Sequence, residues 1–136
     1  MDSYVHDNWW NGVWCDIECN AFTVKDSTIT DNGKVGIVNE QTTGLTLISG
    51  NAIKGNGRNE AVSALSRTRA GLLIINSANA DINGNIFGRN YHRHGIYVHE
   101  GKPPPVVSGI LIHENTMNGD RINGCGLSGV TCKLNN

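Results

Sequence analysis

The stretch 36–57, GIVNEQTTGLTLISGNAIKGNG, is one copy of a unit that recurs along the chain. Gly12-Val13-Trp14-Cys15, Gly36-Ile37-Val38-Asn39, Gly71-Leu72-Leu73-Ile74 and Gly95-Ile96-Tyr97-Val98 each open a similar apolar run, and two of the three intervals between them are 24 residues. A fixed period in this range signals stacked supersecondary units. A second column agrees: Ser27, Asn51, Asn85 and Asn115 follow Val24, Ile48, Ile82 and Ile112 by three positions and precede Ile29, Ile53, Phe87 and Met117 by two. A third column, Asn32, Asn56 and Asn90, closes each unit, beside Gly33 and Gly57 in the first two.

Two to three short strands per unit, separated by Asn and Gly turns, fit one coil of a parallel β-helix. Equivalent residues of successive coils then lie about 4.8 Å apart, so each coil supplies backbone partners to the next and like side chains form columns. An amide side chain both donates and accepts, and Asn tolerates left-handed backbone; the Asn columns therefore read as structural ladders.

On these residues the chain resembles the right-handed parallel β-helix repeat proteins, the superfamily that includes pectate lyases, polygalacturonases, alginate epimerases and phage tailspikes. The phrases NGVWCDIEC (11–19), GIVNEQTTGLTLISGNAIKGNG (36–57) and GLLIINSANADINGNIFGRN (71–90) carry the resemblance, which covers roughly residues 8–132. It implies an all-β, right-handed parallel β-helix of about five coils, a carbohydrate-facing role, and secretion or display at a cell surface. The families' catalytic signatures do not transfer. Asn79-Ala80-Asp81 falls in a turn register, no Asp-Asp pair exists, and Arg93-His94-Gly95 is the one echo of a polygalacturonase motif. The Asp-Pro-His of the epimerases is also absent.

With 136 residues, 17 glycines and 17% charged side chains, the chain reads as one turn-rich β domain spanning 1–136. A net charge of −1 without Lys/Arg clusters argues against nucleic acid, and no apolar run reaches the length of a membrane span. Met1-Asp2-Ser3-Tyr4 does not begin a signal peptide. A short solenoid exposes unpaired strands at its ends, and Met1 to Trp10 does not read as a cap helix; the domain is therefore expected to be either part of a longer protein or an oligomer that self-associates through coil ends, the favoured end being the coil bearing Trp9, Trp10 and Trp14. Cys15 and Cys19, about 13 Å apart on an extended strand, lie beyond disulfide reach unless the chain turns sharply, so Cys15 reads as a buried thiol. Cys125 and Cys132 could meet across the last turn. Neither the cysteines nor His92, His94, His99 and His113 have the spacing of a metal site.

Departures from the period mark the binding side of a solenoid. The third unit is longer through Arg58 to Arg69, where Glu60 to Leu65 could form a turn of helix, and the fourth carries Gly101-Lys102-Pro103-Pro104-Pro105. Both flank the strand that starts at the repeated glycine. If Val13, Cys15, Ile37, Leu72, Ile74, Ile96 and Val98 point inward, with Asn39 as a polar exception, then Trp14, Val38, Leu73 and Tyr97 form one outward column and Asp16, Glu40, Ile75 and His99 the next. Trp14 and Tyr97 are candidates for stacking on sugar rings, with Arg67 and Arg69 as further substrate contacts; the tryptophans could equally just cover the first coil. Asp16 and Glu40, about 5 Å apart on adjacent coils, are the candidate catalytic pair or a calcium site, with His99 as a proton carrier. These readings point to a polysaccharide-interacting module, with lyase or hydrolase chemistry on acidic glycans left open. The alternative is a non-catalytic solenoid of an adhesin, tailspike or surface protein.

Overall fold

The computed structural model describes residues 2–59, 69–101 and 107–133. Five coils follow one another. The first holds β1 (Tyr4–His6), β2 (Val13–Asp16) and β3 (Phe22–Lys25); the second holds β4 (Thr28–Thr30), β5 (Val35–Glu40) and β6 (Thr46–Ser49). The third holds β7 (Ala52–Lys54), β8 (Ala70–Ile75) and β9 (Ala80–Asn83), and the fourth β10 (Ile86–Gly88), β11 (His94–His99) and β12 (Ile110–His113). The fifth contributes β13 (Arg121–Asn123) and β14 (Val130–Lys133), preceded by a single bridge from Thr116 to Ile86.

Like strands of successive coils pair in parallel and build three walls. Wall one runs β1-β4-β7-β10, wall two β2-β5-β8-β11-β13 and wall three β3-β6-β9-β12-β14. Parallel pairing cannot be closed by a hairpin, so each strand must leave its wall and return one full coil later. The expected period is this return path. It also explains why the long third and fourth units do no damage: the extra residues leave at turns on either side of wall two, and the pairing of β5 with β8 and of β8 with β11 stays in register.

The interior is a stack of aliphatic columns. Ile48, Ile82 and Ile112 are register partners on wall three, Ile37, Leu72 and Ile96 on wall two, and Ile29, Ile53 and Phe87 on wall one, all essentially without solvent exposure. Asn39 does point inward, where its amide nitrogen donates to the Thr46 hydroxyl at 3.2 Å. That pair inserts one polar layer into the second coil.

Two amide ladders run along the corners. Between walls three and one, Nδ2 of Asn51 and of Asn85 donates to Oδ1 of Asn85 and of Asn115, each at 2.9 Å. Between walls one and two, Asn8 donates to Asn32, Asn32 to Asn56 and Asn56 to Asn90 at 2.8 to 3.1 Å. The same Oδ1 atoms also receive the backbone N–H of the preceding rung, at 3.0 Å from Asn51 and from Asn56. The Nδ2 atoms also donate to backbone carbonyls of the coil before, Asn51 to Val24 and Asn56 to Ile29, but from side chain to side chain donation points toward the C-terminus, so the last rung of the second ladder needs only an acceptor. Asp120 fills it, taking the Asn90 amide at 2.6 Å.

The repeated glycines make room for the second ladder. A Cβ on Gly12, Gly36 or Gly71 would stand 2.8, 2.9 and 2.8 Å from Nδ2 of Asn32, Asn56 and Asn90, and no more than 2.8 Å from the carbonyl of the next glycine in the column. Real Cβ atoms do not approach that closely, so the Gly and Asn columns specify each other.

The expectation of a free thiol at Cys15 is corrected. Cys15 is disulfide-bonded to Cys19, with Cα atoms 6.0 Å apart, because Ile17 and Glu18 both adopt left-handed backbone (φ 50° and 56°) and fold the chain back. The pairing of Cys125 with Cys132, left open by the sequence, is present as a disulfide across the last turn. Ahead of Trp9, Tyr4–His6 pairs with Thr28–Thr30 as the first strand of wall one. The expected helical turn at Glu60 to Leu65 lies outside the described residues.

Ile82→Asp should abolish cooperative unfolding near the wild-type temperature, since an unpaired carboxylate would enter a dry column at a cost of several kcal/mol. Circular dichroism melting checks this, and a wild-type transition would break the register described.

Candidate functional site

Wall two carries the candidate residues because its two flanking corners hold the insertions. Its outward positions follow strand alternation: Trp14, Val38, Leu73 and Tyr97 are aligned by the pairing of β2, β5, β8 and β11, and Asp16, Glu40, Ile75 and His99 form the adjacent column. Both expected columns exist. They are not uniformly open.

Trp14 is 52% exposed, on the edge strand β2. Val38 and Leu73, the next two members of its column, are 3% and 4% exposed and pack with Val35, flanked by Ile75 and Tyr97. The middle of the outer face is therefore a second small apolar cluster, separate from the interior, and Trp14 and Tyr97 do not share one open strip. Sequence alternation could place these side chains outward but could not foresee that they would be covered. Tyr97 is half-buried, its ring 5.4 Å from that of His94 and 6.2 Å from that of His99.

Asp16 and Glu40 are direct register partners on adjacent coils. Asp16 is exposed and Glu40 half-buried, so the pair faces solvent at the margin of the apolar cluster. The Cys15–Cys19 disulfide brackets Asp16 and closes the turn just after it, while Gln41 turns the chain after Glu40 with left-handed backbone (φ 52°). These devices fix where both carboxylates emerge. His99 is two strands from Glu40, with Ile75 between them; at strand spacing that is about 10 Å, too far for a shared proton without a bridging molecule. Among the described residues no group of three or more His, Cys, Asp or Glu is placed to hold a metal ion, and the Asp16–Glu40 pair alone supplies two carboxylates to a calcium ion that takes six to eight oxygens.

Arg69 is not a surface contact. It is buried at the corner before β8, with its guanidinium 3.6 Å from the centre of the Tyr91 ring. Lys34 stacks similarly over Trp10 at 4.4 Å one coil earlier, so a cation and an aromatic ring pack together at this corner twice. Arg67 lies outside the described residues. The histidines noted in the sequence divide: His92 and His94 sit near Tyr91 and Tyr97, whereas His113 is on wall three, 3.0 Å from Asp81.

The three-walled parallel fold agrees with the comparison to known families. The family described as the right handed beta helix region matches residues 1–136. No curated protein and no solved structure matches the chain.

Proposed function

The chain belongs to the right-handed β-helix family along residues 1–136, and from that premise we propose that it is a polysaccharide-interacting module acting through the outer face of wall two. The observation that carries this reading is the juxtaposition, on the first two coils, of an exposed indole and a carboxylate pair: Trp14, Asp16 and Glu40 lie side by side on paired strands. An indole face stacks on the apolar face of a sugar ring, and carboxylates accept hydrogen bonds from its hydroxyl groups. Two disulfides support an oxidising destination, secretion or the cell surface.

Binding is favoured over turnover. Asp16 and Glu40 are register partners on adjacent strands, as a closely spaced retaining glycosidase pair would require, but their neighbour is a covered apolar cluster and His99 stands apart from them. A glycan array followed by a polyuronate cleavage assay, each with and without calcium, tests both levels. Trp14→Ala should weaken glycan binding about tenfold through lost stacking area, while Asp16→Asn and Glu40→Gln should leave the fold intact and remove any cleavage. Failure to bind any glycan under either calcium condition would overturn the proposal.

A separate observation favours a second reading, an assembly module. The first coil leaves β1, β2 and β3 as edge strands of all three walls. Its mouth holds a cavity of about 340 Å³ lined in part by Val5, Val13, Val24 and Ile29, with Tyr4 and Trp9 more than 60% exposed nearby. Unpaired parallel edges around an apolar opening suit a second copy of the chain. Sedimentation velocity should then show a concentration-dependent dimer that Trp9→Asp dissociates; a monomer at every concentration would exclude this reading.

A further inference from the structure

We propose that the Asn118–Gly119 peptide is a site of spontaneous deamidation, and that the isoaspartyl linkage it leaves releases the C-terminal end of the second amide ladder. The chemistry is intramolecular. The glycine backbone nitrogen attacks Cγ of the asparagine and closes a succinimide ring, and the side-chain amide nitrogen leaves as ammonia carrying the glycine's proton. Water then opens the ring at either carbonyl, giving an aspartyl or an isoaspartyl residue. A following glycine, without a Cβ, gives its nitrogen an unhindered approach. The chain holds six Asn-Gly pairs, with asparagine at 11, 32, 56, 83, 118 and 123, and the fold treats them unequally.

Ring closure needs a backbone N–H that is not engaged and a side-chain amide free to turn toward it. In the ladder neither exists. Asn32 and Asn56 are fully buried, and their Nδ2 atoms donate to the next rung at 2.9 and 3.1 Å. The N–H groups of Gly33 and Gly57 are each held at 2.8 Å by the carbonyls of Asn8 and Asn32. Gly12 likewise donates to the Val35 carbonyl at 2.9 Å. Asn83 has its amide fixed at both ends, accepting the Ser49 hydroxyl at 3.1 Å and donating to Asp81 at 2.9 Å. Asn123 belongs to β13, in register with Tyr97, and its Nδ2 is buried. Asn118 is different. It and Gly119 are both exposed, its side chain makes no hydrogen bond among the described residues, and it borders a hollow of about 470 Å³ on the surface.

The turn around this pair favours the attack and gives it a consequence. The Asp120 N–H donates to the Met117 carbonyl at 2.7 Å, closing a four-residue turn whose third residue, Gly119, has a φ of 79° while Asn118 is not left-handed. That is the type II pattern, in which the N–H of the third residue takes no part in the turn's own hydrogen bond. A methyl group on Gly119 would meet nothing within 4 Å, so the nitrogen is also sterically open. Asp120, which ends the turn, is the last rung of the ladder and takes the Asn90 amide at 2.6 Å. An isoaspartyl linkage inserts a methylene into the main chain inside this turn. The Met117–Asp120 bond then no longer spans it, Asp120 moves off Asn90, and a buried amide loses its partner.

The full chain is aged at mildly alkaline pH, folded and in parallel unfolded in urea, and followed by peptide mass spectrometry with isoaspartate methyltransferase labelling. In the folded protein Asn118 should gain about 1 Da, with label, at least about tenfold faster than Asn32 or Asn56, whereas in urea the six pairs should react at rates within about threefold of one another. Aged wild type should melt about 3 °C or more below fresh protein. Asn118→Gln, aged identically, should keep its melting temperature, because the larger ring a glutamine forms closes far more slowly. Ladder asparagines reacting as fast as Asn118 in the folded chain would overturn the site, as would an unchanged mass at Asn118 over a period in which the unfolded chain reacts. Deamidation at Asn118 with no fall in melting temperature would overturn the release of the ladder.

Discussion

The structure depends on a close approach between backbone and amide at the corner between walls one and two. Asn32, Asn56 and Asn90 turn their side chains inward and pass hydrogen bonds from coil to coil, and they reach that position only because the residue that opens the strand above each has no Cβ. A buried amide left without partners would cost roughly 1–3 kcal/mol, so the ladder stabilises the stack only while every rung is spoken for. Its polarity sets the ends apart. From side chain to side chain each rung donates toward the C-terminus, and Asp120, which accepts two bonds from Asn90 and has no side-chain hydrogen to pass on, closes the series.

From this constraint the sequence was legible to a large degree. The columns headed by Gly12, Ser27 and Asn32 contained the period, the corners and the core register, because a solenoid repeats its physics every coil and copies of one pattern reinforce each other. The first strand of the first coil, Tyr4–His6, was the part missed. Ser3, Val5 and Asn8 stand 24 residues before Ser27, Ile29 and Asn32, so the signal was present, but a polar three-residue strand with one apolar side chain is weak when read alone. The Cys15–Cys19 disulfide was missed for a different reason: two successive non-glycine residues in left-handed backbone are rare, and nothing in Ile17-Glu18 announces them.

The site was legible in direction and not in accessibility. Alternation fixes which side chains leave wall two, and the register of Asp16 with Glu40 follows from the period alone. Whether an outward side chain meets water depends on what packs over it, which the repeat does not encode; Val38 and Leu73 point outward and are buried, and Arg69 folds onto Tyr91 instead of reaching out. A hollow at the corner where the chain leaves wall one was invisible for the complementary reason. It is lined by the last residues of β4, β7 and β10 and the turns after them, far apart in the chain and brought together by stacking. A rigid solenoid thus offers two kinds of surface, flat walls of aligned side chains and corners whose composition varies coil by coil, and function can be written on either without disturbing the ladder.

The most direct test of the central constraint is the difference in melting temperature between Gly36→Ala and Gly126→Ala. A methyl group at Gly36 would stand 2.9 Å from the Asn56 amide and 2.6 Å from the Gly71 carbonyl, whereas at Gly126 it would meet nothing within 4 Å. The coupling of glycine and asparagine columns predicts that Gly36→Ala loses at least about 3 kcal/mol, seen as a drop of ten degrees or more, while Gly126→Ala melts within a degree or two of wild type. Equal melting temperatures for the two variants would contradict it.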